Sequence, residues 1–147
     1  MRRPRAPSAQ DYVEIQNLYA YYNQTSDEGD AEAYANCWTD DGELSIKALN
    51  FSIRGRDNFI AFKKKDKDGR AGKYRRHWNG SIFLEMVDEH TVRGRCYLHG
   101  FNGMPGSLPT FADAGLYEDL IVKIYGEWRF KRRSLAMDAS SWTPPPA

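Results

Sequence analysis

The chain has 147 residues, enough for a single core that buries roughly two-thirds of the surface its unfolded form exposes. Its 41% hydrophobic and 14% aromatic content exceeds what disordered chains carry. With 21 basic and 20 acidic residues the net charge is +1, so no overall field favours nucleic acid or an anionic membrane, and the expected partner is a small molecule.

Met1 to Gln10 reads as a basic, Pro-containing tail with no apolar stretch behind it, and no run approaches the ~18 residues of a membrane span. A cytoplasmic protein with a domain over 11–138 and a Pro-rich tail over 139–147 is the expectation. From Asp11, a plausible N-cap, to about Gln24, apolar residues recur at Ile15, Leu18, Tyr19 and Tyr22, a helical stripe. Ser26 to Asp30 breaks it. A second helix covers Ala31 to Trp38 and ends in a turn at Asp40-Asp41-Gly42. Two short strands, Glu43 to Lys47 and Phe51 to Arg54, precede a third helix from Asn58 to about Lys64, with Asp57 as N-cap. Lys63 to Arg70 reads as a solvated loop.

Strands then follow over Tyr74–Val87, Thr91–Phe101, Ala112–Tyr125 and Glu127–Leu135, separated by Asp88-Glu89-His90, the Gly103 to Pro109 loop and Tyr125-Gly126. Three helices before about six mostly antiparallel strands is an α+β order. A strongly curved sheet wrapped on helices forms a cone whose mouth is a ready pocket. If His77, Asn79, Ser81 and Phe83 face inward, Trp78, Ile82, Leu84 and Met86 form an outer apolar row that needs a cover; a homodimer or homotrimer is expected, and packing on the chain's own helices is also compatible with the row.

Cys37 and Cys96 lack the companions of a disulfide framework or zinc site and read as small core residues; no metal and no cofactor is signalled. The chemistry-bearing residues are His77, Asp27 and Tyr22. An imidazole, with an ordinary pKa of about 6.5, is the natural general base near neutrality, a carboxylate fixes its tautomer, and a phenol can donate to a departing or developing oxygen. The plainer readings are a sheet histidine, a helix-capping aspartate and a core tyrosine. Substrate-contact candidates are the aromatics Trp38, Trp78, Phe83 and Tyr117, the amides Asn79 and Asn102, and Arg132 of the Arg132-Arg133 pair, one of which is expected to face carboxylates near the pocket. His90 falls in a turn, and His99 falls on the strand face opposite Asn102.

Tyr22, Asp27, the Trp38-Thr39-Asp40-Asp41-Gly42 run, Gly55-Arg56, Arg76-His77, Gly94-Arg95, Tyr117-Glu118-Asp119 and Gly126-Glu127-Trp128-Arg129-Phe130 occur in an order and spacing that resemble the SnoaL-like branch of the nuclear transport factor 2-like superfamily. The resemblance covers about Asp11 to Asp138 and implies a cystatin-like α+β barrel. The patterns nearest to it belong to cofactor-independent lyases: scytalone dehydratase, bile-acid 7-alpha dehydratase and hexachlorocyclohexane dehydrochlorinase. Their His-Asp dyad falls on His77 and Asp27, the dehydratases' helix tyrosine on Tyr22 and the fifth-strand aromatic on Tyr117. A further polar group on the fourth strand falls at Gly100 or Asn102, a departure from the pattern. The implied function is lyase chemistry on an aromatic or polycyclic molecule, with release of water, a halide or an aldehyde. The alternatives are a non-catalytic subunit, such as the small subunit of a ring-hydroxylating dioxygenase, or an isomerase, cyclase or epoxide hydrolase using the same dyad.

Overall fold

The computed structural model describes residues 3–146; Met1 and Arg2 of the basic tail and Ala147 of the C-terminal tail lie outside the described residues. Helices α1 (Ala9–Glu28) and α2 (Ala31–Asn36) lead into β1 (Trp38–Ile46), a 3-10 turn, β2 (Phe51–Arg54) and α3 (Arg56–Asp68). Four long strands follow: β3 (Tyr74–Asp88), β4 (Thr91–Gly103), β5 (Thr110–Ile124) and β6 (Glu127–Ser140). All six form one curved sheet in the order β2-β1-β6-β5-β4-β3, antiparallel except where β1 runs parallel to β6. This is the α+β architecture that the sequence predicts. No described helix is long and apolar enough to cross a membrane.

The helix ends differ from expectation for local reasons. Ser8, not Asp11, caps α1: its Oγ accepts from the Asp11 N–H at 3.1 Å and donates to the Asp11 carboxylate at 3.0 Å. Asp11 also accepts from the Trp128 indole (3.0 Å) and from Lys123 (3.1 Å), which pins the start of α1 to the β5–β6 hairpin. At its other end α1 continues through Ser26 and Asp27, because Gly29 takes the left-handed C-cap conformation (φ 72°). Gly55, not Asp57, is the N-cap of α3. Asp40-Asp41-Gly42 is not a turn but an irregularity within β1, where pairing with β6 slips between Trp38 and Glu43.

A bulge in β3 has the largest consequence. Pairing with β4 slips between Gly80 and Phe83, and Ser81 takes a positive φ of 52°. The extra residue reverses the alternation that follows. Leu84 is therefore buried, with Ile82 and Met86 packed against the core, while Phe83 turns out to solvent. The expected outer row of Ile82, Leu84 and Met86 does not exist. Trp78, Phe83, Tyr97 and Phe111 are the large apolar side chains exposed on the outer face.

The segment from Lys63 to Arg70 is not a solvated loop. It is the last part of α3 and its cap, and Lys63 and Asp66 are buried. Asp66 accepts from Lys63 (3.3 Å), Arg70 (2.8 Å) and Arg75 (3.0 Å), and its Oδ1 accepts from the Trp142 indole at 3.2 Å. Burial opposes the Asp66 charge, but Lys63 and Arg75 outweigh it and hold the carboxyl well below its usual range. Burial brings Lys63 down from 10.5 to about 8, against the opposing pull of Asp66. Arg70 in turn donates to the Ser26 carbonyl at 2.6 Å and to the Asp27 carbonyl, bracing the end of α1.

Asp66→Ala strands several buried cations, and a loss of about 3–5 kcal/mol is expected from urea unfolding, as for a broken buried ion pair. Lys63 gives a separate pH signature. Its folded pKa is depressed, so the unfolded chain binds more protons between about pH 8 and 10. Stability from Lys63 therefore rises with pH through that window. Parallel denaturation curves for Lys63→Met should lack the rise.

Candidate functional site

The last turn of α1 meets the start of β3 at Asp27 and His77. Asp27 Oδ2 accepts from the His77 backbone N–H at 3.0 Å, and Oδ1 is bonded to the His77 Nδ1. The carboxylate therefore grips one residue at two points, which fixes both the strand and the ring. The bond at Nδ1 places the lone pair of a neutral imidazole on Nε2. Asp27 is almost fully buried and His77 is 16% exposed.

His77 opens onto a cavity inside the cone, whose polar lining includes Tyr22, Tyr34, Lys63, Asp113 and Tyr117, with Trp142 at its mouth. The Tyr22 and Tyr34 hydroxyls are 3.0 Å apart. Burial holds the phenols of Tyr22 and Tyr117 far above their usual range, so both stay protonated and act as donors. Only one hydrogen is used between Tyr22 and Tyr34, leaving one phenolic hydrogen for the cavity. Lys63 donates to Ser26 at 2.8 Å and lies 4.4 Å from the centre of the Tyr34 ring.

Behind these phenols lies a closed ion pair. Arg133 Nε donates to Asp119 Oδ1 at 2.8 Å, its Nη2 donates to Oδ2 at 3.1 Å, and Tyr19 donates to Oδ2 at 2.6 Å. The guanidinium stacks 3.7 Å from the Tyr117 ring centre and 4.5 Å from that of Tyr22. Burial works against the Arg133 charge, and Asp119 together with the surrounding phenols outweighs it.

Of the residues singled out from sequence, His77, Tyr22 and Tyr117 line the cavity, and Asp27 stands behind His77. The others lie elsewhere. Trp38 is a core residue stacked 4.3 Å from Phe59. Trp78 and Phe83 project from the outer face, Phe83 because of the bulge. Arg132 also points outward, beside Glu118, and its neighbour Arg133 takes the inward position. Asn79 accepts from Asn23 at 2.8 Å, off the cavity wall, and Asn102 borders a groove next to Arg75 and Trp142. Tyr34, Lys63 and Asp113 were not anticipated. Asp113 shares strand parity with Tyr117, which was a usable signal, whereas Lys63 is hidden in a lysine-rich run. Among the described residues no group of three or more His, Cys, Asp or Glu is placed to hold a metal.

Among known sequence families, the SnoaL-like domain matches residues 7–134. The chain belongs to the SnoaL-like family. That family includes cofactor-free enzymes such as polyketide cyclases and dehydratases. Similar solved structures include Rv3472 from Mycobacterium tuberculosis, a protein of unknown function (26% identity, 88% of this chain and 72% of that one, TM-score 0.78). A candidate scytalone dehydratase from Novosphingobium aromaticivorans is 25% identical over 93% of each chain, with a TM-score of 0.76. ActVI-ORFA from Streptomyces coelicolor shares the fold at 24% identity over 88% of this chain and 98% of that one (TM-score 0.79). Among curated proteins none matches the sequence significantly.

The two neighbouring arginines separate cleanly by experiment. Arg133→Leu leaves Asp119 buried without its partner, and a loss of about 3–5 kcal/mol in chemical denaturation is expected. Arg132→Ala on the outer face should stay within about 0.5 kcal/mol of wild type.

Proposed function

We propose that this SnoaL-like protein is a cofactor-free lyase of dehydratase type, acting on a small aromatic or fused-ring molecule with His77 as general base. The observation that carries this reading is the two-point grip of Asp27 on His77, a cavity-lining residue, which leaves Nε2 free of that bond. A base held in one tautomer by a buried carboxylate loses little orientation on reaching the transition state. The similarity to a candidate scytalone dehydratase supports the same chemistry.

In the proposed step Nε2 removes a proton from carbon, the C–H electron pair forms the new double bond, the C–O bond breaks, and the proton carried on Nε2 passes to the departing oxygen, so that water leaves and neutral His77 is restored. Asp27 stabilises the imidazolium without itself taking the proton. The spare hydrogen of the Tyr22–Tyr34 pair donates to the oxygen on which charge develops. A substrate with an acidic C–H beside a carbonyl and a hydroxyl one carbon further, a fused-ring β-hydroxy ketone, fits this arrangement.

The cavity has a free volume of about 60 Å³, well below the roughly 300–1,000 Å³ of typical small-molecule sites. An aromatic substrate therefore enters only with a shift at the mouth. Opening the mouth means moving Trp142, which rests edge-on against Phe51 and Phe62 with ring centres 5.5 and 6.3 Å away and would give up its 3.2 Å bond to Asp66.

Purified protein incubated with a panel of fused-ring β-hydroxy ketones should release water, followed by the absorbance of the enone. His77→Gln and Asp27→Asn should each lower kcat by about 10² to 10⁴ with the fold retained by circular dichroism. Wild-type turnover should fall on acidification, since the imidazolium cannot accept a proton. Undiminished turnover in His77→Gln, or none by the wild type across the panel, would remove the reading.

A further inference from the structure

Asp113 is a buried carboxylate at the cavity wall that the dyad chemistry does not use. It lies on β5 opposite Gly100 of β4, and Gly100 lies opposite His77 of β3. Directly opposed residues share one face of a sheet, so the three form a single inner rung. Two inter-strand steps of about 5 Å separate the His77 and Asp113 backbones by about 10 Å. The middle position of the rung carries no side chain.

Asp113 leans into that vacancy. A Cβ at Gly100 would collide with Asp113 Oδ2 and sit 3.0 Å from its Cβ, so the glycine is what allows the carboxylate to lie where it does. Oδ1 accepts from Ser140 Oγ at 2.5 Å. Oδ2, above Gly100, receives no hydrogen bond among the described residues. Lys63, the cation of the cavity, is committed to Ser26 and Asp66 and does not serve it. Oδ2 is not sealed into the protein, so at the cavity wall it is an acceptor open to a donor that a ligand brings.

We propose that Asp113 is the specificity-determining residue of the cavity: its Oδ2 accepts a hydrogen bond from an alcohol or phenol group of the substrate, held over Gly100 on the rung it shares with His77. The inference rests on the reading of this cavity as the reaction site and narrows it to hydroxylated rings. A halocarbon of equal size would leave Oδ2 unpaired and is rejected, because a site built to bind a hydroxyl discriminates strongly against an analogue lacking it.

The test is a titration of the full chain with 1-naphthol and with 1-chloronaphthalene, read by calorimetry or ligand-observed NMR. Wild type should bind the naphthol tighter by about tenfold or more. Asp113→Leu and Gly100→Ala, each checked for fold by circular dichroism, should bring the ratio close to about one. The two substitutions remove the same interaction by different routes, so the glycine variant still reports if loss of the carboxylate unfolds the chain. Equal affinities in wild type, no binding of 1-naphthol at millimolar concentration, or an undiminished preference in the folded variants overturns the assignment. The same titration in His77→Gln separates the two readings. A hydroxyl preference that survives there, beside a wild type that turns over no β-hydroxy ketone, supports Asp113 and removes the lyase. Turnover without the preference removes Asp113 and leaves the lyase.

Discussion

One carboxylate, Asp66, holds the mouth of the cone together. It joins Lys63 on its own helix, Arg70 beyond it, Arg75 at the start of β3 and the indole of Trp142 after β6. These groups come from four places in the chain, and no apolar contact could register them so specifically, because dispersion has no direction. The surplus of positive charge around Asp66 is put to use: Arg70 also donates to the carbonyls of Ser26 and Asp27 at the C-terminal end of α1. The residue that orients the histidine is thus itself positioned by a charge cluster one layer away.

Asp27 then transmits that position to the sheet. By taking both the backbone N–H and the ring of His77, it fixes the height of β3 against α1 as well as the angle of the imidazole. The bulge at Gly80–Phe83 lets one strand do two jobs. Before it, odd-numbered residues turn inward, His77 among them onto the cavity; after it, even-numbered ones pack against the core. A strand with unbroken alternation would have to give up either His77 or Leu84 to solvent.

Most of the fold was legible because its signals are local and periodic. The long strands from Tyr74 onward, the Tyr125-Gly126 turn and the stripe of Ile15, Tyr19 and Tyr22 all appear at their expected places. The dyad was legible as a pair of residue types within a recognisable order of motifs. What escaped depends on long-range choices. Lys63 and Asp66 look like members of a solvated charge run, and only the arrival of Arg75 and Trp142, remote in sequence, makes their burial tolerable. The outward turn of Phe83 depends on a single inserted residue, and the choice of Arg133 over Arg132 depends on which parity of β6 faces Asp119. Periodicity narrows such choices to two and cannot pick between them. Gly100 was visible as a missing polar group on β4, yet the carboxylate that leans over it comes from the next strand.

The interior of this small cone is unusually polar, and its buried groups divide by how completely they are paired. Asp119 is satisfied by Arg133 and Tyr19, and Asp66 by its cations and an indole; these paired carboxylates hold shape, although Arg133 Nη1 and Arg70 Nε stay buried without a partner. Three groups facing the cavity, unlike Lys63, keep a bonding position open. Asp27 uses Nδ1 of His77 and leaves Nε2, Tyr22 and Tyr34 share one hydrogen and keep another, and Ser140 serves Oδ1 of Asp113 but not Oδ2. A base, a donor and an acceptor are thus left open around one space, where a ligand can meet all three. Their convergence is the physical reason to read the cavity as a reaction site rather than a packing defect.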